Sequence, residues 1–223
     1  MTHSRQALIL AILLASVVRF ALAADRHPEL TRLSPTEEIW FDARGRTLVV
    51  GGRVTLADGP IELFACPQGT KEHESIVAVH ASARVIHAGL LAIGLEPGAP
   101  AAFDPGFVPP SGGRVDVRVR WTDGAGEPQE ADARDWVREG PAGPRLEQRW
   151  VFAGGAFYTD PETGTKTLLG DGANLICVAN FPDALLDVQV ESAPANAALL
   201  FEAFAGRVPP RGTAVEVILA RGD

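Results

Sequence analysis

The chain has 223 residues, of which 20 are basic and 28 acidic, a formal charge of −8 with histidine neutral, and 46% of its residues are hydrophobic. Such a balance repels phosphate backbones and anionic headgroups, and no basic run offsets it, which argues against nucleic acid as a partner.

Residues 1–23 carry the features of a secretory signal peptide: Arg5 near the start, an apolar stretch over 7–18, and Ala21-Leu22-Ala23 as a small-x-small cleavage site before Ala24. The apolar stretch falls short of the ~20 residues a membrane span needs, so no stable membrane anchor is expected. No cysteine precedes Cys66, which leaves no residue for lipid attachment at the cleavage point. The expected location is extracytoplasmic, periplasmic or secreted. Cleavage would leave 18 basic and 28 acidic residues.

Residues 24–46 read as a polar N-terminal tail whose apolar end, Ile39-Trp40-Phe41, docks on the domain that fills 47–223. From Thr47 onward the signals are mostly for strands. "TLVVGGRVTL" and "IELFACP" are β-branched or aromatic runs separated by the turn sequence "ADGP". "SIVAV" suits a strand buried on both faces. Later candidates are "RVDVRVRW", "ARDWV", "RWVFAGG", "NLICVAN" and "AVEVILA", with "DPETG" as a hairpin loop. One helix is predicted over 83–93, with Ser82 as N-cap and Gly94 just past its end. It is apolar nearly all round, so most of it should be buried. "NAALLFEAF" (196–204) is a weaker helix or strand candidate. The expected fold class is α+β, mostly short antiparallel strands with one buried helix. An internal echo, "VPPSGGRVDV" and "VPPRGTAVEV", places two prolines ahead of a strand in each half.

The segments "KEHESIVAV", "IHAGLLAIGLEPG", "DWV", "WVFAGG", "ICVANFPDALLD", "VESAPANAALLFEAF" and "VPPRGT" together resemble the YdjY-like domain family over about 47–219. That resemblance implies an exported bacterial protein of no established activity. A ferredoxin-like label sometimes attached to the family does not carry over. An iron–sulfur cluster needs about four thiolates, and the chain has two cysteines.

The candidate chemistry centres on "CPQGTKEHES" (66–75). A hairpin there would bring His73 near Cys66, with Glu74 to orient the imidazole, the elements of a thiol-dependent or hydrolytic enzyme. Adjacent strand residues point to opposite faces, however, so Glu74 would not easily reach the His73 ring. In an exported chain two cysteines usually pair, and a disulfide between Cys66 and Cys177 is the expected arrangement. His73, His80 and His87 recur every seven residues, but a strand–turn–helix path separates them too far to share a metal. His87 suits core packing better than function. "DPETGTKTLLGD" lacks the glycine and glutamate of a calcium loop, and no metal or cofactor is expected. The sequence therefore favours an exported structural or binding module, its partner an unidentified protein or small-molecule ligand, over an enzyme using Cys66 and His73.

Overall fold

A computed structural model describes residues 26–192 and 200–223. The predicted signal peptide and part of "NAALLFEAF" lie outside the described residues. The elements in chain order are β1 (Thr31–Arg32), β2 (Ile39–Asp42), β3 (Thr47–Val54), β4 (Gly59–Pro60), β5 (Leu63–Pro67), β6 (Ser75–Val79) and α1 (Ala83–Ala92). There follow β7 (Arg114–Thr122), β8 (Pro128–Asp132), β9 (Val137–Glu139), β10 (Trp150–Phe152), β11 (Phe157–Thr159) and β12 (Lys166–Leu168). The last four are β13 (Ile176–Cys177), β14 (Leu186–Val188), β15 (Phe201–Ala203) and β16 (Ala214–Arg221).

The longest strands set the frame. In β7 Val115, Val117 and Val119 are buried while Arg114, Arg118 and Arg120 face solvent, the period-2 pattern of a strand with one wet face. β16 lies antiparallel to it and answers in register, Val119 opposite Val217 and Val117 opposite Leu219. Hydrogen bonding then runs β3-β16-β7-β10-β14-β13-β5-β6 and returns to β3, because Gly52, Arg53 and Val54 pair with Val79, Ala78 and Val77. The result is a closed eight-stranded barrel.

This corrects the α+β expectation. The protein is mostly β, 39% strand against 10% helix. β3, β7 and β16 are eight or nine residues long rather than short. Closure depends on a pairing between β3 and β6, which no local pattern in either strand announces. The glycine pair inside β3 makes it possible. β2 pairs with β3 as far as Val50, and β6 takes over at Gly52. A side chain at Gly52 would put its Cβ 2.6 Å from the Ala78 carbonyl oxygen, so only glycine lets the strands approach at this corner.

The core is filled by side chains: Phe64 packs against Trp150 and Trp136 at ring distances of 5.7 and 6.3 Å, and Phe152 and Phe201 are also fully buried. α1 forms where predicted, but only Ala83, Ile86, Gly89 and Leu90 are buried. Gly89 lies directly against Leu48, so the helix docks by one face, and Ala88, Leu91 and Ala92 meet solvent. The Ser82 hydroxyl does not cap the helix. It donates to Glu37 at 3.1 Å, which also accepts from the Ser82 amide. "ARDWV" is a 3-10 turn over Ala133–Trp136 rather than a strand. Ile39-Trp40-Phe41 dock by forming β2, where Trp40 covers Val49 and Ile218. Among the described residues no helix is long and apolar enough to cross a membrane.

Candidate functional site

β5 and β6 run parallel, not as a hairpin, with Leu63 opposite Ser75 and Cys66 opposite Ala78. Residues 68–74 alone connect them, far fewer than the dozen or more a parallel crossover ordinarily takes. The reversal needed to fit so short a link turns His73 outward. Its side chain is 79% exposed, and its ring lies 3.8 Å from the Glu74 carboxylate. Cys66 is fully buried. Burial pushes its thiol up from the ordinary range, opposed in part by hydrogen bonds with Ser75 and Thr70 and the Lys71 backbone, with nearby Glu72 adding to the rise. A thiol held protonated, with no imidazole beside it, is not an activated nucleophile. The structure therefore does not assemble Cys66, His73 and Glu74 into one site.

Cys177 is also fully buried, and both cysteines are free thiols in one small cluster with Leu63 and Ala184. The expected disulfide is not formed, and register supplies the reason. A bulge in the β13–β5 pairing sets Cys177 opposite Leu63, three residues along β5 from Cys66. At ~3.3 Å per residue that is about 10 Å along the strand, beyond the ~7 Å Cα separation a disulfide tolerates.

Next to Cys177 stands Asp187 of β14, also fully buried. Its Oδ1 accepts from the Val188 amide at 2.8 Å and from Asn180 Nδ2 at 3.1 Å, and the Phe181 backbone also acts on the carboxyl as a hydrogen-bond donor. Burial raises its carboxyl from 3.8 to about 7, against the lowering effect of the Val188 amide, the Asn180 side chain and the Phe181 backbone amide.

A second polar constellation is open to solvent. Two turns of the same sequence form, P-x-G-T, stand at its edge: residues 67–70 ("PQGT") and 210–213 ("PRGT"). In each the threonine amide donates to the proline carbonyl, at 3.3 and 3.1 Å, and the threonine hydroxyl donates to that same carbonyl, at 2.6 and 2.7 Å. Each places a glycine at positive φ, +83° for Gly69 and +90° for Gly212, as the third residue of such a turn requires. Between them lies a cavity of about 550 Å³ bounded by Thr55, Gly69, Thr70, Glu72, His73 and Arg211. Glu72 is already neutralised: it accepts from the Gly69 amide at 2.9 Å and from Arg53 at 3.1 Å, and both hold its carboxyl below the usual range. Arg211 acts on Glu72 through space but forms no ion pair among the described residues. The cavity therefore presents surplus positive charge, suited to an anion.

A comparison with protein families matches residues 39–220 to the YdjY domain. The chain belongs to the YdjY domain family. No curated protein and no solved structure matches it. The YdjY domain as matched begins at β2, ahead of the boundary read from sequence at Thr47.

Within this YdjY domain the three heptad-spaced histidines have separate surroundings. His73 is on the surface, His80 Nδ1 lies 3.1 Å from Glu38, and His87 sits edge-on between Phe152 and Phe157, each 5.2 Å away. Burial lowers the His87 pKa, in keeping with a packing role. The V-P-P segments both lead into strands, β7 and β16, which pair with one another, yet only the second forms the P-x-G-T turn. Arg211, Glu72 and Asp187 were not singled out from the sequence. The repeated P-x-G-T was visible there and marks the turns that carry Gly69 and Arg211; Asp187 shows only as one acid in the apolar run "ALLDV".

Proposed function

We propose that the protein is an extracytoplasmic, non-enzymatic binding module whose barrel is the scaffold and whose ligand, a small anion, meets the cavity between the two P-x-G-T turns. The observation that supports this reading is Arg211, a cation without an ion pair among the described residues, beside an Arg53–Glu72 pair whose charge is already spent internally. The thiol-enzyme alternative would need Cys66 free to react, and it is buried and protonated. Calorimetric titration with inorganic phosphate, and separately with a small dicarboxylate, tests the ligand class. Binding that is lost in Arg211→Ala supports the reading. Absence of binding by both probes at millimolar concentration, or binding unchanged in that variant, would contradict it. Extracytoplasmic location rests on the features of residues 1–23; the intact mass of the exported protein should lack them, and full-length mass would count against it.

A further inference from the structure

Both P-x-G-T turns hang from the end of β3. The Gly212 amide donates to the Val54 carbonyl at 2.8 Å, and the Val54 amide donates to the Thr213 carbonyl at 2.9 Å. On the other side Glu72 joins the Gly69 amide to Arg53. Glycine-bearing loops that hold phosphate do so with backbone N–H groups aimed out at the ligand. These two turns aim theirs inward. The Gly69 and Gly212 amides are spent on Glu72 and Val54, and the Thr70 and Thr213 amides on the carbonyls of Pro67 and Pro210. The hydroxyls of Thr55 and Thr70 donate to the Ser75 and Pro67 carbonyls, at 2.7 and 2.6 Å.

Of the side chains that bound the cavity, Arg211 and His73 are the remaining donors, and the His73 ring stands 3.8 Å from the Glu74 carboxylate. Arg211 therefore supplies the main contact. Glu72, on the same wall, keeps 27% of its side chain exposed, and it repels incoming negative charge, of which a phosphate brings more than a carboxylate. Leu56 is the one aliphatic side chain of the wall, and its inner side packs on the core.

We propose that the cavity selects a carboxylate with a short apolar tail over phosphate, the two carboxylate oxygens on the Arg211 fork and the tail against Leu56. This rests on the cavity being an anion site. The planar guanidinium matches a carboxylate with two parallel hydrogen bonds. A phosphate held the same way would turn its other oxygens toward Glu72 and the inward-facing turns, where no glycine or threonine amide meets them.

An NMR titration of the isotope-labelled protein tests this, with sodium butyrate, sodium acetate and inorganic phosphate added separately at neutral pH and fixed ionic strength. Butyrate should shift the resonances of Gly69, Thr70, Gly212 and Thr213 saturably, with a Kd about tenfold or more below that of phosphate. Acetate, without the tail, should bind several-fold more weakly than butyrate. Arg211→Lys, at an exposed position, keeps the charge but not the fork, and should weaken butyrate binding by about tenfold or more. Phosphate binding as tightly as butyrate, or butyrate binding unchanged in Arg211→Lys, would overturn the carboxylate assignment and leave a simple anion site at Arg211. Acetate binding as tightly as butyrate would overturn the place given to the tail. Shifts from none of the three anions would remove the anion site itself, and the carboxylate assignment with it.

Discussion

Glu72 accepts from the Gly69 amide and from Arg53 while its side chain remains 27% exposed. It fastens the 67–70 turn to β3, and so shapes the cavity that Arg211 faces. Its folded pKa is depressed, so the stabilisation is complete above the ordinary carboxylate value of 4.5 and is lost as the pH falls through the lowered one. Glu72→Gln should cost about 1 kcal/mol at neutral pH, the scale of a solvent-screened charged hydrogen bond. Denaturant titrations should show the gap between variant and wild type closing at acidic pH. A gap independent of pH would mean that the carboxylate charge is not what holds the turn. Cys66 has the opposite character. Its place in a β-branched and aromatic run was legible, but its partners were not, because Ser75 and Thr70 reach it only through the parallel return of the chain.

At the scale of elements, periodicity located β3, β5, β6, β7, β16 and α1, each of which carries its own pattern. What it could not show was partner choice. "SIVAV" reads the same beside β5 in parallel as it would in a hairpin, and the link of residues 68–74 suggests the hairpin. The glycine pair of β3 was visible as a break in the apolar run, but its role as a corner depends on Ala78, which no window around Gly52 contains. Most of α1 was expected to be buried, since an alanine-rich helix is apolar by composition whichever face is wet. Leu90→Ala, at a fully buried position, should cost about 2–5 kcal/mol through the cavity it leaves. Leu91→Ala, at a position 45% exposed, should stay within about 0.5 kcal/mol. Equal losses from the two in equilibrium unfolding would contradict one-sided docking.

For the whole molecule, ring closure does what a larger helical layer would do in an α+β domain: each of its eight strands is paired on both sides, and the ring surrounds one core. With that core filled by Phe64, Trp136, Trp150 and Phe152, the barrel holds its cysteines as packing residues and leaves polar chemistry to the connections. Cys66 is the residue at which that division is open to experiment. Folded protein should be treated with a small alkylating reagent at neutral pH and the adducts located by peptide mass spectrometry. Cys66 should stay unmodified on the timescale of free-thiol reaction and become reactive only in denaturant. Rapid, stoichiometric alkylation of native Cys66, slowed by His73→Ala, would contradict the account and restore a thiol–imidazole site.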